Sequence, residues 1–192
     1  MNRFVIKTFK KLILICLLYL VSSNAFSNEF EIKAEKINYN NNEGKIIAEG
    51  NASAFNQDGK KIYANKITYL KNIGIIQTYG NSKFTDNNKV LTADRFSYNI
   101  NSKIINANGN VIFTDKDNNK FFFNKFIYNE IKGTGNGDKI VAKTSDGSYL
   151  QSKSGELDSK NKLVKLKNGE FTSCSKIKNN KGEFCPSWSL KS

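Results

Sequence analysis

Histidine is absent from all 192 residues, proline and tryptophan occur once each (Pro186, Trp188), and cysteine three times (Cys16, Cys174, Cys185). Without an imidazole there is no base for a Ser-His-Asp triad and no histidine metal ligand. Cys174 and Cys185 alone cannot complete a four-ligand zinc site. Acids are outnumbered by bases, 17 against 30, and are scattered. Asp58, Asp86, Asp115 and Asp117 fall in turn-like stretches, where aspartate bonds its own backbone. The glycine-rich "GTGNGD" at 133–138 is not followed by a helix carrying Lys-Ser/Thr, so it is not a phosphate loop. The longest apolar run, ten residues, is too short to span a bilayer comfortably, an uncleaved anchor being the alternative to a cleaved leader. These absences lead us to expect no enzyme, no cofactor and no metal.

What is present starts at the N-terminus. Arg3, Lys7, Lys10 and Lys11 precede the ten-residue apolar run Leu12 to Val21, and small residues follow at Ser23, Ala25 and Ser27. A basic start, a short apolar core and a small-residue exit make a secretory signal peptide, residues 1–27, with cleavage after Ala25 or Ser27. Cys16 follows Ile15 rather than a small residue, so it reads as part of the apolar run and not as a lipoprotein site. The formal charge of +13 loses four bases with the signal, leaving 13 − 4 = +9. That excess suits anionic partners such as phosphorylated lipid or a membrane face. Export argues against nucleic acid. A lysine-coated surface without a partner is the alternative.

The remainder repeats itself. "AEKINY" (34–39), "ANKITY" (64–69) and "ADRFSY" (93–98) are followed by "GKIIAEGNA" (44–52), "GIIQTYGNS" (74–82) and "KIINANGNV" (103–111), and a fourth partial copy is "NKFIY" (124–128). Tyr39, Tyr69, Tyr98 and Tyr128 recur every 29 or 30 residues, in step with Gly50, Gly80 and Gly109. A fixed period of this length marks stacked supersecondary units. Within each copy apolar residues alternate, as in Ile46, Ala48, Gly50, Ala52 and Ala54, and polar turns separate the runs. That is a strand pattern. No helical period appears after the signal. Ala34 to Ile37 is three residues where alternation demands two, the mark of a β-bulge. With glycine on the apolar face of the next strand, each unit is expected to bend at one height, folding a sheet lengthwise into a trough. An ordinary Gly-Asn hairpin turn is the alternative.

The apolar set of this expected interior is Ile37, Ile46, Ala48, Ala52, Ala54, Ile67, Ile76, Phe84, Phe96, Ile105, Ala107, Val111 and Phe113. Its many alanines either leave room for acyl chains or fit a narrow core that fills itself. The residues alone leave both open.

The repeat "A-x-x-I-x-Y … I-x-A-x-G-N" resembles the OstA-like domain family of lipopolysaccharide transport. The resemblance covers residues 30 to about 172. It implies an all-β, folded-over antiparallel sheet, an open β-jelly roll or β-taco, holding lipid A acyl chains against the apolar set named above. Family members include the soluble LptA-like periplasmic bridge and the N-terminal part of the LptD-like outer-membrane translocon. The tail "NGEFTSCSKIKNNKGEFCPSWSL" (168–190), with Phe171, Thr172, Cys174, Trp188 and Leu190, resembles the LptD-like segment that leads to a barrel. The organisation implied is a signal at 1–27, an OstA-like domain at 28–172, and a cysteine-containing linker at 173–192 toward a barrel that this sequence does not contain. Implied partners are lipopolysaccharide, an LptA-like bridge at the N-terminal sheet edge, and an outer-membrane barrel with its lipoprotein plug should the gene continue. The implied location is the periplasm, at the outer membrane. In the family the Cys174 equivalent pairs with a distant cysteine; a Cys174–Cys185 bridge is expected in this chain taken alone. An LptA-like bridge and a structural β-repeat surface protein are the rival functions.

Overall fold

The computed structural model describes residues 29–143 and 148–172, and beyond them the strand segments β14 (Ile177–Asn179), β15 (Gly182–Phe184) and β16 (Leu190–Lys191). The expected signal peptide, Cys174, Cys185 and Trp188 lie outside the described residues. The body is built from β1 (Glu31–Lys33), β2 (Lys36–Asn40), β3 (Lys45–Phe55), β4 (Lys61–Leu70), β5 (Ile75–Tyr79), β6 (Ser82–Asp86) and β7 (Lys89–Ala93). It continues through β8 (Arg95–Asn99), β9 (Ile104–Thr114), β10 (Lys120–Asn129), β11 (Thr134–Lys143), β12 (Tyr149–Asp158) and β13 (Leu163–Thr172). Among the described residues the only helical element is a 3₁₀ turn at Lys71–Ile73. The expected all-β class and folded-over antiparallel sheet are what the chain forms.

The fold line runs through the repeated Gly-Asn pairs. Gly50 and Asn51, Gly80 and Asn81, and Gly109 and Asn110 all have positive φ, between 44° and 80°. Left-handed backbone is the region glycine and asparagine tolerate best, which is why these two residues recur there. The strand does not reverse at the pair, as a hairpin would require. It continues in phase, and Ala48, Ala52 and Ala54 on either side of the first pair are all buried. What changes is the neighbour. β4 pairs with β5 through Lys66–Leu70 but with β6 through Lys61–Tyr63. β9 likewise pairs with β8 at one end and β7 at the other. The register slips between Glu49 and Ala52, opposite Lys66 and Ala64, and between Val111 and Asn108, opposite Phe123 and Lys125, so the extra residue lies at the Gly-Asn pair of β3 and β9 and not in the Ala-x-x-Ile stretch where the sequence places the bulge. Lys139 and Asn168 hold positive φ at the equivalent points of β11 and β13, where the Gly-Asn signature has decayed.

Opposite each pair sits a single residue of the neighbouring strand, and both backbone and side chain meet it. Glu35, Asn65 and Asp94 donate their N–H groups to the carbonyls of Gly50, Gly80 and Gly109 at 2.8–3.0 Å. The Asn51 amide donates to Glu35 (2.6 Å), that of Asn81 to Asn65 (3.3 Å), and that of Asn110 to Asp94 (3.2 Å). The repeat therefore encodes a corner stitched between successive strands.

Two leaves result. Leaf one contains β2, β5, β8 and the adjoining halves of the long strands; leaf two contains β1, β6, β7 and the other halves. Cross-strand register places Tyr39, Ile46, Tyr69, Ile76, Tyr98, Ile105 and Tyr128 in a single row across leaf one, which explains the tyrosine period. The facing row in leaf two runs Ile32, Ala54, Ile62, Phe84, Leu91, Phe113, Phe121 and Ala142. Next to the corner stand Ala52, Ala64, Ser82 and Ala93, small because the leaves converge there. Farther along, glycines make space for rings. A Cβ on Gly137 would lie 2.2 Å from the Phe123 ring, and one on Gly135 would lie 2.3 Å from Phe126. Those two phenylalanines stack at 4.3 Å with 14° between planes.

Candidate functional site

The expected interior set is brought together between the leaves. Ala48, Ala52, Ala54, Ile67, Ile76, Phe84, Phe96, Ile105, Ala107, Val111 and Phe113 are buried. Ile46 is partly buried against them. Ile37 faces the same way, opposite Ala48, yet is 48% exposed, because β2 is an edge strand with no neighbour beyond it. Tyr39 beside it is 56% exposed. The apolar face thus continues uncovered to the N-terminal end of leaf one.

The interior is not empty. Large side chains absent from the sequence expectation complete it: Ile62, Leu91, Tyr98, Phe121, Phe123, Phe126 and Tyr128 are all buried. Phe113 lies within 5.5 Å, centroid to centroid, of both Phe126 and Tyr128. Phe84 sits 5.3 Å from Tyr98. The internal void bounded by Phe84, Leu91, Ile105, Phe113 and Tyr128 measures about 10 Å³. That is about one water-probe sphere, far below an acyl chain. The alanines fit the taper at the corner, as the self-filled alternative expects, and the aromatic rows fill the wider part.

Opposite the corner the two leaves present free lips made of turns. Side chains alone close the slit between them. Lys60, from the β3–β4 turn of leaf two, places its ammonium 3.2 Å from Glu130, in the β10–β11 turn of leaf one, and 3.2 Å from Asp86 at the end of β6. All three side chains are no more than 16% exposed. The Tyr98 hydroxyl donates to the other Glu130 oxygen at 2.9 Å. Lys89 donates to the Tyr128 hydroxyl at 3.0 Å, and that hydroxyl meets Ser159 Oγ at 3.2 Å. At the N-terminal end Phe30 packs edge-on against Tyr98, 6.1 Å between centroids, while Glu29 pairs with Lys71.

Burial pulls the Lys60 ammonium toward neutrality, but the Glu130 and Asp86 carboxylates outweigh it and hold its pKa above the ordinary lysine value. Tyr98 is pushed far above the ordinary tyrosine value, by burial first and by Glu130 second. Asp86 is therefore more than the turn former that its sequence position suggests. Beyond Lys89 the slit opens into a cleft of about 390 Å³. Leu157 and Val164 line it, and its charged rim is mixed, with Lys89, Lys116, Lys160 and Lys162 beside Asp115, Asp117 and Asp158. The exposed pair Lys162–Asp117, at 3.0 Å, crosses the slit there.

Among the described residues no group of three or more Cys, Asp or Glu side chains could hold a metal ion, and no helix is long and apolar enough to cross a membrane. No protein-family model matches the chain, and no curated protein matches it. Among solved structures it is similar to the crystal structure of LptH, "the LptA homologous periplasmic component of the conserved lipopolysaccharide transport device from Pseudomonas aeruginosa". Identity is 13%, with 72% of this chain and 82% of that chain covered and a TM-score of 0.32.

Proposed function

We propose that this chain is a non-enzymatic lipid-holding module of lipopolysaccharide transport, acting in the periplasm at the outer membrane. The observation that carries the reading is the continuous apolar row across leaf one, buried from Tyr69 to Tyr128, partly buried at Ile46 and left uncovered at Tyr39, with Ile37 exposed beside it. The leaves are joined by backbone only at the corner, so they can part along the slit without losing a ladder hydrogen bond. Acyl chains would take the place now held by the aromatic rows, and lysines of the lips would face phosphates and acidic sugars. The sequence resemblance supports the lipopolysaccharide assignment. Its tail motif favours an LptD-like N-terminal domain over an LptA-like bridge, with a bridge protein meeting the edge formed by β1 and β2.

The small internal void favours a second reading, a structural β-repeat whose core is complete without cargo. Purification of the mature chain from an envelope containing lipopolysaccharide, followed by mass spectrometry of bound lipid, separates the two. The lipid-holding reading expects lipid A acyl chains to co-purify in a defined ratio. Lipid-free protein, also after incubation with lipopolysaccharide micelles, would favour the structural repeat.

A further inference from the structure

We propose that the buried Lys60–Glu130–Asp86 cluster is a clasp that gates the slit, so that cargo is admitted sideways between the lips rather than threaded from an end. The inference rests on the reading of the interior as a lipid slot. Lys60 and Asp86 come from leaf two and Glu130 from leaf one, so their contacts join elements that share no strand pairing at that margin. Tyr98 rises from the apolar row to the same carboxylate, linking the clasp to the fill of the interior. The neighbouring void is closed by the same set, lined by Asp86, Lys89, Tyr128 and Glu130 beside Phe84 and Phe113.

An ionic cluster suits a gate better than an apolar seam. Buried ion pairs give little net stability because desolvation offsets attraction, so the closed state is held only shallowly. When the lips part, water and the rim can solvate each charge, whereas a parted apolar seam would gain nothing from water. The cleft at Leu157 and Val164 adjoins the clasp and is already open, so parting can start there and run toward Lys60.

The test uses the mature chain with Cys174 and Cys185 replaced by serine, and has two arms. In the first, hydrogen exchange is compared between Glu130→Gln and the parent. Lip amides, those of Lys60 (bonded to Asn56 Oδ1) and Glu130 (bonded to the Lys103 carbonyl), should exchange at least tenfold faster. Corner amides of Gly80 and Asp94 should change less than twofold. Equal acceleration at lips and corner would make the cluster a general stabiliser and overturn the gate. In the second arm, Lys60→Cys with Glu130→Cys is bridged by a short reducible bis-maleimide, and uptake of N-phenylnaphthylamine is followed by fluorescence. The bridged form should take up probe at least tenfold more slowly than the same sample after reduction. Equal uptake would overturn the gate while leaving the lipid slot standing. No uptake in either form would remove the slot and the gate with it.

Discussion

Lys60 shows how much one side chain can hold and how little that says about net stability. Replacing it with methionine leaves Glu130 and Asp86 buried without their cation, and we expect a loss of about 3 kcal/mol in chemical denaturation. Replacing all three, Lys60→Met with Asp86→Leu and Glu130→Leu, should restore most of that loss, because the desolvation cost disappears together with the attraction. A triple variant as unstable as the single one would mean that the charges themselves are needed for the fold. The pH dependence has a definite sign. Lys60 and Tyr98 both carry raised pKa values in the fold. Their contribution is fully present below the unfolded values, 10.0 for tyrosine and 10.5 for lysine, and is lost as pH rises above them. Melting temperature should hold from pH 7 to 9 and then drop. Tyr98→Phe should start lower, by roughly 1–3 kcal/mol for the donor removed from Glu130, and then fall less steeply above pH 10. Parallel alkaline slopes would show that Tyr98 is not the group responsible.

At the scale of the element, the corner is the unit that the sequence repeats. Gly109 and Gly59 both sit at positive φ, 77° and 83°. A Cβ at Gly59 meets nothing within 4 Å, whereas one at Gly109 would lie 2.1 Å from the Asp94 carboxylate. Gly59→Ala therefore measures left-handed strain alone, about 1–2 kcal/mol. Gly109→Ala should cost more and should break the Asn110–Asp94 contact as well. Thermal unfolding of the two variants checks the difference; equal losses would mean that the corner yields freely. This element was the most legible part of the sequence. The offset from Ala34 to Ile37 and the phase kept through Gly50 both announce a bend, because period and parity are local properties. The clasp was not legible. Lys60, Asp86 and Glu130 lie in or beside turns of three different repeats, and nothing in a turn's composition tells which opposite lip it will meet. The aromatic fill escaped for a related reason. Phe123 and Phe126 sit across a bulge from each other, and their destination is set by the space over Gly135 and Gly137 on the next strand.

The whole molecule is a folded sheet whose two margins behave differently. The corner margin is fastened by backbone bonds at every strand, while the slit margin is fastened by side chains at a few points. Under the lipid-holding proposal, that asymmetry would let the interior be full when the protein is alone and available to cargo, with one margin as hinge and the other as opening. The same proposal defines which side chains would touch cargo. Ile76, Ala107 and Phe113 point between the leaves and are buried. Gln77 and Asn106 lie on the opposite face, lining a shallow outer groove with Arg95 and Lys125, and Ile112 alternates with Phe113 on β9. The measurement that bears most directly on the lipid-holding claim is photo-crosslinking to lipopolysaccharide from single positions of opposite parity. A photoreactive residue at 76, 107 or 113 is predicted to label lipopolysaccharide, and one at 77, 106 or 112 is predicted not to; equal labelling at both parities, or none at either, would contradict it.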